Sequence, residues 1–246
     1  MKLESKVKNT IKKYKLCNKN EKILVALSGG KDSTFALHQA SKHHEIACLI
    51  SLISNNPESY MFHTPNIQLT QIQAQTMGLP LIQKQTKGLK ENELKDLKQA
   101  LNLAKKKFRI EGIITGTIRS IYQTTRIQKI CKQLDLWCFN PLWLKNPVEL
   151  LNQLVENDFK VVISGVFAYP LDESLLGNLI DYETIDRLRQ LSEKHKLDPA
   201  GEGGEMETTV LNAPLFQKKI EILEHSIIYK NNHGIFKIEK TRLTTK

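Results

Sequence analysis

Residues 23–36 run ILVALSGGKDSTFA, an apolar stretch that stops at Ser-Gly-Gly-Lys-Asp-Ser and gives way to a helical pattern. A glycine turn between strand and helix is a place where a chain can hold phosphate. Glycine lets anion oxygens approach the backbone, and the helix start offers unpaired N–H groups and the positive end of the dipole. The stretch is not a Walker A loop. The first glycine of G-x-x-x-x-G-K-[ST] would fall at Val25, and Asp32 stands where Ser or Thr should take the metal. Nor does it contain G-x-G-x-x-G. Ser28 and Ser33 supply hydroxyls, Gly29 and Gly30 the close approach, and Lys31 a positive charge. Asp32 either orders the loop by accepting N–H bonds or helps to place Mg²⁺. The plainer alternative is a tight turn that only caps a helix.

The chain around this turn alternates strand and helix. Short, nearly continuous apolar runs at 22–28, 46–54, 79–83, 112–116 and 136–140 are of the kind buried on both faces of a parallel sheet. Between them, Thr64-Pro65 predicts a helix start and Gly78 a helix end, and Leu94, Leu97, Leu101 and Ala104 mark one face of another helix. The expectation is an α/β fold with a doubly wound, mostly parallel sheet whose ligands bind at the carboxyl ends of the strands. The second half differs. NPVELLNQLVEND predicts a helix, KVVISGVFA a strand, and DYETIDRLRQLSEKHK a helix capped by Asp181. ETTVLN predicts a further strand, and the Asn-Asn-His-Gly between two apolar runs a hairpin turn. A smaller α+β domain is expected there, giving domains 1–139 and 140–246.

Charge divides the same way. Residues 1–138 carry 23 Lys and Arg against 10 Asp and Glu, and residues 139–246 carry 13 against 16, within a net charge of +10. A basic half could attract a nucleotide or RNA, or simply solvate helix faces. The four cysteines form no C-x-x-C pair, so neither a zinc knuckle nor an iron–sulfur cluster is suggested. Cys48 and Cys138 are expected in the core. No apolar run approaches a membrane span, and MKLESKVKNT lacks the apolar core of a signal peptide, so a cytoplasmic location without membrane contact is expected.

Ser-Gly-Gly-x-Asp-Ser at a strand–helix junction resembles the PP-loop (Rossmann-like) of the N-type ATP pyrophosphatases. That resemblance implies ATP and Mg²⁺ as cofactors and cleavage between the α and β phosphates. A substrate oxygen attacks the α phosphorus, pyrophosphate leaves, and a nucleophile displaces AMP from the adenylate. Further segments narrow the acceptor: ESYMFHTPN (58–66), GTIRSIYQTTRIQKIC (116–131), PLW (141–143), VVISGVFAYPLDESLLGNLID (161–181) and PAGEGGEMETTVLNAPLF (199–216). In this order and spacing they resemble the diphthine–ammonia ligase family from about residue 22 to 216. The most specific piece is E-G-G-E-x-E-T at Glu202, Gly203, Gly204, Glu205, Met206, Glu207 and Thr208, where Met206 replaces the family's usual aromatic residue.

The resemblance implies amidation of the diphthine carboxylate on translation elongation factor 2, with ammonium as nitrogen donor and AMP and pyrophosphate as products. Free ammonium is expected because no catalytic cysteine or spare length for a glutaminase is evident. Glu202, Glu205 and Glu207 could hold diphthine's trimethylammonium group, bind ammonium or take a proton from it. If a strand begins at ETTV, Glu205 and Glu207 share a face. His63 is placed either to touch the nucleotide or to cap a helix. Gly116 and Thr117 are expected at the carboxyl edge of the fourth strand, beside the α phosphate or ribose. Tyr122, Gln123 and Arg126 follow on the next helix, where Arg126 either neutralises phosphate or lies on the surface. Asp172 and Glu173 either line the cleft or cap the next helix. Trp143, Tyr169 and Tyr182 could stack on a quaternary ammonium, with burial in the core the simpler expectation. Three rival functions remain: a PP-loop enzyme that modifies tRNA, a relative that amidates a small corrinoid-type carboxylate, and a non-catalytic ATP sensor.

Overall fold

The computed structural model describes residues 21–54, 56, 65–88 and 92–246. His63 and the Thr64 cap therefore lie outside the described residues. Strands β1 (Lys22–Ala26), β2 (Glu45–Ser54), β3 (Leu81–Thr86), β4 (Gly112–Ile114) and β5 (Trp137–Phe139) pair in the order β3-β2-β1-β4-β5. Every pairing in this sheet is parallel. Helices α1 (Lys31–Ser41), α2 (Thr70–Met77), α3 (Asn92–Phe108) and α4 (Ile121–Gln133) provide the crossovers, and a short 3₁₀ turn, Ile67–Leu69, leads into α2. Strand order reverses on either side of β1, so the carboxyl ends of β1 and β4 border the crevice where such sheets bind ligands.

The sheet is covered on both faces, which is why its strands are apolar without a break. On one face Leu24, Cys48, Ile50 and Ile113 pack under the stripe Leu97, Ala100, Leu101 and Ala104 of α3 and under Ile127 and Ile130 of α4. The spacing of that stripe puts it on one side of a 3.6-residue helix. On the other face Ile23 and Val25 meet Phe35 and Leu37 of α1 and Ala74 and Met77 of α2.

Past β5 the chain enters α5 (Pro147–Glu156). Its start is fixed by Asn146, whose side chain accepts the Glu149 N–H, and by Pro147 in the first turn. Strands β6 (Lys160–Val166), β7 (Met206–Asn212), β8 (Lys219–Lys230) and β9 (His233–Thr244) form a second sheet in the order β7-β6-β9-β8, all antiparallel. Helix α6 (Tyr182–His195) is capped as expected by Asp181, which accepts the Thr184 N–H. The β8–β9 turn is Asn231-Asn232, both with positive φ, the backbone a two-residue hairpin requires. Leu150, Leu154, Val161, Ile163, Leu188 and Val210 join Ile23, Val25 and Phe35 in one continuous hydrophobic cluster, so the two sheets share a core. No helix among the described residues is long and apolar enough to cross a membrane.

Candidate active site

A cavity of about 340 Å³ opens at the carboxyl ends of β1 and β4, within the roughly 300–1,000 Å³ common for small-ligand sites. Its polar lining comes from four pieces of chain. The glycine turn contributes Ser28, Lys31, Asp32 and Ser33. The turn after β4 contributes Thr115, Gly116 and Thr117, and α4 contributes Ser120 and Gln123. From the other half come Gly201, Glu202, Gly203, Gly204, Met206 and Glu207. Loops more than 160 residues apart in sequence thus face one another.

The glycine turn is held by its own serines and by β7. Helix α1 starts at Gly30 without a side-chain cap. The Ser28 and Ser33 hydroxyls lie 3.0 Å apart, and Ser33 Oγ accepts the Ser28 N–H at 3.1 Å. Gly29 has φ +87°, a conformation that a residue with a Cβ adopts only under strain. The turn after β4 presses directly on this helix start. A Cβ at Gly116 would lie 2.5 Å from the Ser33 nitrogen and 2.6 Å from the Asp32 carbonyl carbon, so only glycine allows the approach. Thr115 Oγ1 donates to Asn140 Oδ1 at 2.6 Å and ties this turn to the end of β5.

Charge converges on one lysine. Lys31 is 2% exposed, and its Nζ donates to Asp32 Oδ2 at 2.8 Å. Burial alone would lower its pKa, but Asp32, with Glu202 and Glu207 behind it, outweighs that and holds the ammonium protonated above its ordinary value. The second oxygen of Asp32, Oδ1, is buried without a hydrogen-bond partner among the described residues. Burial, reinforced by Asp32 and eased by Lys31, pushes Glu202 up to about 7. Glu207 also rises to about 7, mainly through burial, with Lys31 opposing and Asp32 adding. Both carboxyls are therefore poised to exchange a proton near neutrality.

The expected residues do not all face this cavity. Glu205 turns away from it. Its carboxylate occupies the space beside Gly203, Oε1 accepts the Asp198 N–H at 3.4 Å, and Oε2 is buried without a partner. Thr208 touches the glycine turn by accepting the Lys31 N–H at 3.1 Å. Tyr122 and Arg126 stack on one another, with the guanidinium carbon 3.5 Å from the ring centroid, and do not line the cavity. Asp172 caps the short 3₁₀ helix Glu173–Leu175 by accepting the Ser174 N–H, and Arg187 reaches it at 3.4 Å. Neither Asp172 nor Glu173 lines the cavity. Trp143, Tyr169 and Tyr182 are exposed rather than buried, because all three lie outside the shared core. Cys48 is buried, and burial pushes its thiol up to about 12, as expected of an inert core residue.

Sequence reasoning missed the apolar side of the cavity, Ile50, Leu52, Leu97 and Ile127. Ile50 and Leu52 share a face in the carboxyl half of β2, so the rule that ligands sit at strand ends could have found them. It also missed Arg119, whose Nη1 lies 3.4 Å from Asp198 Oδ2 across the two halves.

The profile of the diphthamide synthase N-terminal domain matches residues 21–137, and that of its C-terminal domain matches residues 146–244. The chain belongs to the diphthamide synthase family. A diphthine–ammonia ligase of Bos taurus is 33% identical to it over 230 residues, covering 83% of this chain and 86% of that one. The diphthine–ammonia ligase of Mus musculus is 34% identical over 222 residues, covering 82% of each. A shorter likeness, 46% over 63 residues, links 23% of this chain to 20% of a tRNA-5-methyluridine(54) 2-sulfurtransferase of Pyrococcus horikoshii. The two domain profiles span both loops of the cavity; the sulfurtransferase likeness is too short to do so.

Proposed function

We propose that the chain is an ATP-dependent ligase that amidates the diphthine carboxylate of translation elongation factor 2 with ammonium. The observation that carries this is the meeting of the glycine turn and the acidic loop in one cavity, with Glu202 and Glu207 behind the Lys31–Asp32 pair. A carboxylate oxygen of diphthine attacks the α phosphorus of ATP, and the bond from that phosphorus to the bridging oxygen breaks. Pyrophosphate leaves into the turn formed by Ser28, Gly29, Gly30 and Ser33, with Lys31 offsetting its charge. Ammonia then attacks the acyl carbon and AMP departs. Ammonium must first lose a proton, and Glu202 or Glu207, ionised above about pH 7, accepts it. The same carboxylates face the trimethylammonium group of diphthine. The apolar wall of Ile50, Leu52, Leu97 and Ile127 suits the adenine ring. Mg²⁺ would be held by the unpartnered Asp32 Oδ1 together with ATP phosphates, supplying positive charge to the leaving group. Among the described residues no group of three His, Cys, Asp or Glu forms a metal cage, and Mg²⁺ needs none when phosphates complete its shell.

The test incubates the protein with ATP, Mg²⁺, ammonium and elongation factor 2 bearing diphthine, and follows AMP release together with conversion of acid to amide. AMP and amide in equal amounts are expected. ADP as product would refute the chemistry. AMP release stimulated by tRNA, with the elongation factor inert, would make the chain a tRNA-modifying enzyme. Asp32→Ala is expected to abolish ATP cleavage, whereas Glu202→Gln combined with Glu207→Gln keeps nucleotide binding and loses amidation.

A further inference from the structure

A phosphate-binding turn works through peptide groups, and peptide groups have to be aimed. The Gly29 carbonyl points out of the turn toward the second sheet, where it accepts the Val210 N–H of β7 at 3.0 Å. It accepts a second bond, also 3.0 Å, from Nε2 of Gln73 on α2. That Nε2 donates again, at 2.8 Å, to the Val210 carbonyl. The donor group of Gln73 is therefore spent on two backbone oxygens, 44 and 137 residues away in sequence.

Gln73 is 0% exposed, and its Oε1 is buried beside Gly29 without a partner. An amide in such a place costs free energy that a leucine or methionine would not, so its packing alone gives it no advantage. Its donors do. A peptide is planar and trans, so a Gly29 carbonyl anchored on β7 turns the Gly30 N–H the opposite way, away from that strand. The positive φ of Gly29 is the backbone this orientation requires.

We infer that Gln73 is a positioning residue that holds the Gly29–Gly30 peptide in its anion-binding orientation and joins the phosphate turn to β7, the strand carrying Glu207. The inference rests on the function proposed above, in which this turn receives pyrophosphate. The probe is inorganic pyrophosphate, titrated calorimetrically into the full chain. Gln73→Met keeps length and bulk but removes the donors. The pyrophosphate dissociation constant and the KM for ATP are expected to rise about tenfold, as for loss of one or two hydrogen bonds, with the KM for ammonium unchanged. Gln73→Glu keeps the shape and, when protonated, restores one donor. Its pyrophosphate affinity relative to the natural protein is expected to recover as pH falls from about 8 to about 5.5, which decides the matter if Gln73→Met does not fold. A purely structural role would lower kcat with the folded fraction and leave both KM values unchanged, overturning the inference. Tight pyrophosphate binding by the natural protein and equal binding by both variants would overturn it while leaving the proposed function standing. No pyrophosphate binding by the natural protein would overturn both.

Discussion

Around Lys31 one buried ammonium faces three carboxylates, Asp32, Glu202 and Glu207. Burial, only partly offset by Lys31 and reinforced by Asp32, makes ionised Glu207 a cost to the folded state. The unfolded chain loses that proton near 4.5 and the folded chain near 7. Between those values the folded state binds more protons, so stability falls as pH rises from about 4.5 to about 7, and the cost is complete above that. Glu207→Gln is therefore expected to be more stable than the natural protein at about pH 8, by about 3 kcal/mol, with no gain at about pH 4. Thermal unfolding at the two pH values checks this; a loss at pH 8 would mean the carboxylate is held by favourable contacts. The same variant should flatten the rise of amidation rate through about pH 7 if Glu207 accepts the ammonium proton. Gly116 is the other sensitive position. Gly116→Ala must push the turn after β4 off the start of α1, at about 1–3 kcal/mol, and pyrophosphate binding is expected to weaken at least tenfold. Unchanged binding would show that the turn yields without moving the phosphate loop.

At the scale of elements, β7 organises the site. It follows the acidic loop, contributes Glu207 to the cavity, and bonds the glycine turn through Thr208 and Val210. A second tie crosses at Arg119, in the turn between β4 and α4, and Asp198, just before the acidic loop. Asp198 also accepts the Ala200 N–H at 2.8 Å and donates its own N–H to Glu205, so it shapes the acidic loop from inside. Arg119 is half-exposed, and breaking the pair is expected to cost less than about 1 kcal/mol of stability. Its effect belongs in catalysis. Arg119→Ala and Asp198→Asn, which keeps the acceptor for the Ala200 N–H, are each expected to lower kcat/KM about tenfold, and the double variant to lose little more than either alone. Additive losses in the double variant would mean that the pair does not align the two loops.

For the whole molecule, the shared core decides how the halves behave. Ile23 and Val25 of β1 belong to the same cluster as Val161 and Ile163 of β6 and Val210 of β7. Loss of either sheet would expose apolar surface of the other. The amides of β1, β6 and β7 are accordingly expected to exchange hydrogen with one common free energy, in a single unfolding step. Earlier exchange of β6 and β7 than of β1 would show separate units. The coupling also bears on function, because the acidic loop stays registered on the glycine turn only while both sheets are formed.

Much of this was legible in the residues alone. Unbroken apolar runs demanded a sheet covered on both faces. Ser-Gly-Gly-Lys-Asp-Ser marked a tight turn from strand into helix, and Asp181 and the Asn-Asn-His-Gly stretch marked where elements start and turn, because these are local effects of φ, hydrogen bonding and side-chain period. Which carboxylates face the cavity was not legible. Glu202, Glu205 and Glu207 are chemically alike in sequence, and only the packing of Gly203 against Glu205, with the Asp198 N–H beyond it, separates them. Gln73 looked like one more polar helix residue, and Asp172 could have lined a cleft until its bond to Ser174 was seen. Such assignments depend on contacts that can join segments 177 or more residues apart, which no local pattern encodes. Sequence by itself determined the elements and the chemistry they can hold; the tertiary structure decided which side chains meet, because burial and distance are set only when the two sheets close on one core.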